Sequence, residues 1–84
     1  MSVYKNRAAG GALNLCGSKI AQLRRAHTPA LSQRALADQL QLCGLDVDKN
    51  AIQRMEQGKR FITDIELRAL AKFFQVSADE LLED

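Results

Sequence analysis

The sequence predicts an all-α chain of five helices, and three observations lead there. No stretch of useful length alternates apolar and polar residues with the period of two that a half-buried strand needs. Apolar residues recur instead at spacings of three and four, most clearly at Leu67, Leu70, Ala71 and Phe74. Two stretches, Thr63-Asp64-Ile65-Glu66 and Ser77-Ala78-Asp79-Glu80, have the form of capping boxes, in which the first side chain and the fourth satisfy each other's free backbone donors at a helix start.

Taken in order, residues 1–17 show little periodicity and carry Gly10, Gly11 and Gly17. They predict a flexible N-terminal arm that becomes ordered near Leu13–Cys16 and precedes a domain over 18–84. Tyr4, Lys5 and Arg7 could follow a DNA groove as such arms do, or the segment is a frayed terminus. The first helix runs from Ser18 to about Ala26, with Ile20 and Leu23 inward. Residues 27–30 form a loop, because Pro29 pushes Thr28 out of helical geometry.

Ser32 then caps a second helix whose buried stripe is Leu36, Ala37 and Leu40, continuing to Cys43 before Gly44 stops it. Residues 45–48 lead on, with Val47 as a buried anchor. Asp48 caps the third helix, and Gly58 stands where a helix commonly ends in the left-handed conformation. Ile52 and Met55, three apart, turn inward together. The fourth helix follows the Thr63 box and the fifth follows the Ser77 box, with Leu81 and Leu82 on it. Phe73 and these two leucines either complete the core or supply a small apolar interface.

Eighty-four residues make one domain, in which a chain of this size buries roughly 60–65% of its unfolded surface. Hydrophobic residues at 46% and charged residues at 26% exclude a disordered chain. No apolar run suits a membrane span or a signal peptide, which points to a cytoplasmic protein without membrane contact. Cys16 and Cys43 lack metal-ligand spacing, and with the single His27 they make no tetrahedral site; two half-buried reduced thiols are expected, with no metal and no cofactor. There is no glycine-rich phosphate loop and no paired carboxylates in a plausible cleft, so the chain is not expected to be an enzyme.

Charge is distributed unevenly. Residues 1–60 hold ten Lys/Arg against four Asp/Glu, a balance of +6, and residues 61–84 hold two against six, a balance of −4. A basic portion opposite an acidic tail suits one face turned toward a polyanion. That basic portion contains the third helix, on which Lys49, Asn50, Gln53 and Arg54 face outward. Their donors and acceptors can read base edges in a DNA major groove.

The order Leu23-Arg24, Leu31-Ser32-Gln33, Leu36-Ala37, Ile52 to Arg60, Leu70-Ala71-Lys72 and Val76 to Leu82 resembles the lambda-repressor-like helix-turn-helix domains, the family of phage Cro and repressor proteins. The match covers about residues 18–83. It implies a compact five-helix bundle whose second and third helices form the helix-turn-helix, with the third in the major groove. By position, Lys49, Asn50, Gln53 and Arg54 are the base-reading candidates. Gln33 matches a residue that anchors a phosphate and braces the reading helix; with it, Arg34, Lys59 and Arg60 are the phosphate-contacting candidates. Glu56 matches a carboxylate that pairs with an arginine of the first helix, here Arg24.

The resemblance further implies a sequence-specific transcriptional regulator: a repressor acting as a homodimer on double-stranded DNA with a palindromic operator. The alternative is an antitoxin that binds DNA and also a protein toxin partner. Two departures from the family pattern stand out. The loop after the first helix is about two residues longer than usual, which loops tolerate. Between Ala37 and Val47 there are roughly five extra residues beyond the usual tight turn, so the second helix is expected to extend by a turn. Asp46 reads as an exposed loop charge.

Overall fold

The computed structural model describes residues 7–83. It contains five α-helices and, among the described residues, no strand: α1 (Gly17–Ala26), α2 (Gln33–Leu42), α3 (Lys49–Glu56), α4 (Asp64–Phe74) and α5 (Ala78–Leu82), preceded by a short turn at Ala9–Gly11. Helix α3 packs against both α1 and α2, while α4 packs against α2 and α5.

The helix starts follow from local chemistry. Ser32, Asp48, Thr63 and Ser77 each accept a hydrogen bond from the backbone N–H three residues on, at 3.0, 2.8, 3.1 and 3.1 Å. At Thr63 the box is complete, since Glu66 accepts in return from the Thr63 N–H at 2.9 Å. At Ser77 only the forward half forms and the Glu80 side chain stays exposed, a correction to the second box read from the sequence.

Three helices stop in the same way. At the end of α2 the Leu45 N–H donates to the Leu40 carbonyl (3.0 Å) and the Gly44 N–H to Gln41 (2.9 Å). At the end of α3 the Lys59 N–H reaches Arg54 (2.9 Å) and the Gly58 N–H reaches Met55 (3.1 Å). At the end of α4 the Val76 N–H reaches Ala71 (3.0 Å) and the Gln75 N–H reaches Lys72 (3.3 Å). This paired pattern needs one residue with positive φ, supplied here by Gly44, Gly58 and, without glycine's freedom, Gln75 at φ 57°.

The core gathers Ile20, Leu36, Leu40, Ile52, Met55, Leu70 and Leu81, each 0% exposed, together with Cys16, Ala37 and Val47. Leu67 and Phe74 pack at its edge, and Leu82 is exposed. Phe73 is half-buried, stacked on His27 with ring centres 5.7 Å apart and edge-on to Phe74 at 5.0 Å. The two cysteines differ, contrary to the expectation of two half-buried thiols. Cys16 precedes α1 and points into the core, where burial pushes its thiol up from the ordinary value; Cys43 follows α2 and is exposed.

The extra residues between α2 and α3 do not all become helix. Helix α2 ends at Leu42, and a six-residue link, 43–48, carries the chain to α3. Leu45 and Val47 plug this link into the core, Asp46 between them is exposed, and the Gln41 side chain donates to the Val47 carbonyl at 2.7 Å. The insertion is thus fastened at both faces.

The segment expected as an arm is partly tied to the bundle. Residues 1–6, with Tyr4 and Lys5, lie outside the described residues, and Arg7 is exposed. From Ala8 onward the chain turns back on itself, and the Leu13 N–H donates to the Gly58 carbonyl at 2.9 Å. The Asn14 amide donates to the carbonyls of Met55 (3.0 Å) and Arg60 (2.9 Å) and accepts from the Gly17 N–H (2.8 Å). Long-range contact therefore starts before residue 18. Gly17, buried at the first position of α1, lies so close to the Met55 carbonyl oxygen that a Cβ there would collide with it.

Candidate nucleic-acid interface

Helix α3 divides cleanly into two faces. Ile52 and Met55 are fully buried, whereas Lys49, Asn50, Gln53 and Arg54 are all exposed. Among the described residues none of these four outward side chains makes a hydrogen bond or an ion pair with the protein. The structure brings together on one short helix two cations and two amides whose bonding capacity is free. Arginine can fork onto guanine O6 and N7, and asparagine can pair with adenine N6 and N7.

The inner end of α3 is held by a carboxylate. Glu56 accepts two hydrogen bonds from Arg24, Nε to Oε2 at 2.7 Å and Nη2 to Oε1 at 2.9 Å, and a third from the Gln33 amide at 3.0 Å. The third arm of the Arg24 guanidinium donates to the Leu31 carbonyl at 2.9 Å. The side chains of the pair are only 11% and 6% exposed. One carboxylate thereby joins α1, the start of α2 and the end of α3, and its charge is neutralised beside the outward face that carries Lys49 and Arg54. The hydrogen bond to Glu56 is the main reason the Arg24 guanidinium holds its proton even more strongly than usual, against the opposing effect of burial.

The phosphate candidates separate. Arg34 is exposed and lines a cleft with Asp38, Gln41, Asp48 and Lys49, between the length of α2 and the start of α3. Lys59 is exposed in the loop after α3. Gln33, half-buried at the first position of α2, has one amide hydrogen committed to Glu56. Arg60 is placed differently from a free phosphate-binding cation. It donates to both oxygens of Glu66, at 2.9 and 3.1 Å, and to the Phe61 carbonyl at 3.1 Å. Burial alone pushes the Glu66 carboxyl up, but the hydrogen bonds from Arg60 and the Thr63 backbone, with the charge of Arg60, outweigh it and hold the carboxyl below its ordinary range.

Asn14 and Gly17 belong to this site and went unread in the sequence. Asn14 bears on the last turn of α3 and on the loop that carries Lys59, and Gly17 on the last turn of α3 alone. Asn14 offered no capping signal, because the cap position of α1 belongs to Cys16, which makes no side-chain cap bond, and Asn14 stands two residues before it. Gln41, which pins the α2–α3 link, had none.

Among the described residues no group of His, Cys, Asp and Glu is arranged to hold a metal ion, and no helix is long and apolar enough to cross a membrane. A family model described as a helix-turn-helix domain matches residues 8–83. No match was found among curated proteins or among solved structures.

Proposed function

This chain belongs to the helix-turn-helix domain family, of the XRE/Cro-like type, and from that premise we propose that it is a sequence-specific transcriptional regulator, a repressor that lays α3 in the major groove of DNA. The observation that carries this reading is the outward face of α3, where Lys49, Asn50, Gln53 and Arg54 stand exposed and uncommitted on a helix whose other face is fully buried. Arg34 and Lys59 flank that face and supply phosphate contacts; such contacts fix register and strengthen binding without encoding sequence. Arg60, engaged by Glu66, supports the loop and contributes less to phosphate attraction than Lys59.

One reading helix covers only part of a DNA turn, so useful specificity requires two copies on a palindromic site. The direct test is selection of binding sites from a randomised duplex pool at about 0.15 M salt, where non-specific attraction is partly screened. An enriched palindrome is the expected result, and its half-site spacing reports the dimer geometry. Recovery of duplexes with no shared motif would count against sequence reading and favour the alternative, an antitoxin-type protein that binds DNA and also a protein toxin.

A further inference from the structure

The outer face of α4 carries Ile65, Ala69 and Phe73, spaced four apart, so the three lie in one row along the helix. Ile65 is 71% exposed, and Ala69 and Phe73 are partly so. The row borders a shallow groove completed by Cys43, Arg68 and Lys72. Beside the apolar row runs a second, Asp64, Arg68 and Lys72, at the same spacing and wholly exposed. Residues 61–84 hold only two cations, and both stand in this row.

Both rows are self-complementary on reversal. A copy of α4 laid antiparallel places Ile65 opposite Phe73, the small Ala69 opposite its own counterpart, and Asp64 opposite Lys72. Large meets large around a small centre, which lets the helices approach, and acid meets base at both ends. Arg68 falls near its counterpart on the exposed edge, where solvent and salt screen like charges. The His27 and Phe74 rings hold Phe73 in place within the row. A surface that matches itself under a two-fold rotation is what a symmetric dimer requires.

We propose that this face of α4 is a self-association surface, on which two copies pack α4 against α4 with the dyad near Ala69. The inference deepens the dimeric reading above by naming the surface that pairs the two reading helices. One helix contact falls short of the roughly 800 Å² per partner of a standard stable interface, so association in free solution is weak and is completed on DNA.

The test uses the full chain with Cys43→Ser, which removes the exposed thiol and leaves the buried Cys16. In that background Ala69→Cys sits at the dyad, where each residue meets itself. Under mild oxidation it should form cross-linked dimer at least tenfold faster than Glu80→Cys, an exposed control on α5. Equal rates, or a faster reaction at the control, would overturn the proposal.

A second variant, Ile65→Glu, changes a side chain too exposed to matter for folding, which a thermal melt checks. It should bind a duplex carrying one half-site as the wild type does, and bind the two-half-site duplex at least tenfold more weakly than the wild type. Unchanged binding to the full site would also overturn the surface. Cross-linking through Ala69→Cys in the Cys43→Ser background, together with a wild-type chain that selects no DNA motif, would support the surface and sink the regulator reading alone.

Discussion

The outward face of α3 and its anchored end are built to opposite specifications. From the Asp48 cap to the last turn, Lys49, Asn50, Gln53 and Arg54 reach outward, and among the described residues nothing holds their side chains. At its finish, Glu56 is gripped by Arg24 and Gln33, the Met55 carbonyl accepts from both Gly58 and Asn14, and Gly17 presses against it. The contrast separates two demands on a reading helix. Its outward side chains must stay free to exchange water for base edges, and its axis must not move while they do so. Positional errors of about 1 Å already spoil such sites, so the rigid end serves the free face.

The largest test of this contrast is Glu56→Ala. It leaves Arg24 charged, buried and without its partner, and strands the Gln33 amide. A loss of about 3–5 kcal/mol in a thermal melt is expected; an unchanged melting temperature would show that the anchored end is not anchored by charge. Next, Gly17→Ala drives a methyl group into the Met55 carbonyl. It should cost about 1–3 kcal/mol, as overpacking does, and a neutral result would mean that α1 and α3 can slide apart freely.

The free face is tested by binding. Arg54→Ala should leave the melt unchanged and lose about 1–3 kcal/mol of affinity at one base position, relaxing preference there. Lys59→Ala should weaken all sequences alike and lower the salt slope by about one. Were the two variants to behave identically in a binding titration over salt, the division between reading and gripping residues would collapse.

The smallest effect belongs to Glu66. Its carboxyl is held below the ordinary range in the folded chain, so its contribution is present above the unfolded glutamate pKa and is lost as pH falls through the folded value. Glu66→Gln keeps an N3 residue that can complete the capping box but loses the ion pair to Arg60; thermal melts across pH should show a flatter acid side and a cost of up to about 1 kcal/mol at neutral pH.

Helix starts and the buried stripes were legible because their causes are local. Ser32, Asp48 and Thr63 act through N–H groups three residues away, and Ile52, Met55 and Leu70 declare themselves by spacing. The contact between Arg24 and Glu56 spans 32 residues and has no periodic signature; only the order of landmarks shared with a family pointed to it. The role of Arg60 was obscured for a different reason. Its sequence neighbourhood is basic, but a carboxylate six residues on, placed by the α4 cap, reaches back and occupies it. For Leu13–Cys16 the sequence marked where order begins but not what Leu13 and Asn14 bind, because those partners lie more than 40 residues away and the local pattern is irregular.

That last distance has a consequence for the order in which the chain takes shape. Helices and their caps form from neighbours, but Asn14 closes onto Met55 and Arg60 across sequence separations of 41 and 46 residues. Contacts of such separation bear the greatest loop-closure entropy and tend to form after the local ones. The segment before α1 is then among the last to find its seat, and α3 acquires its final rigidity only when that segment returns to it.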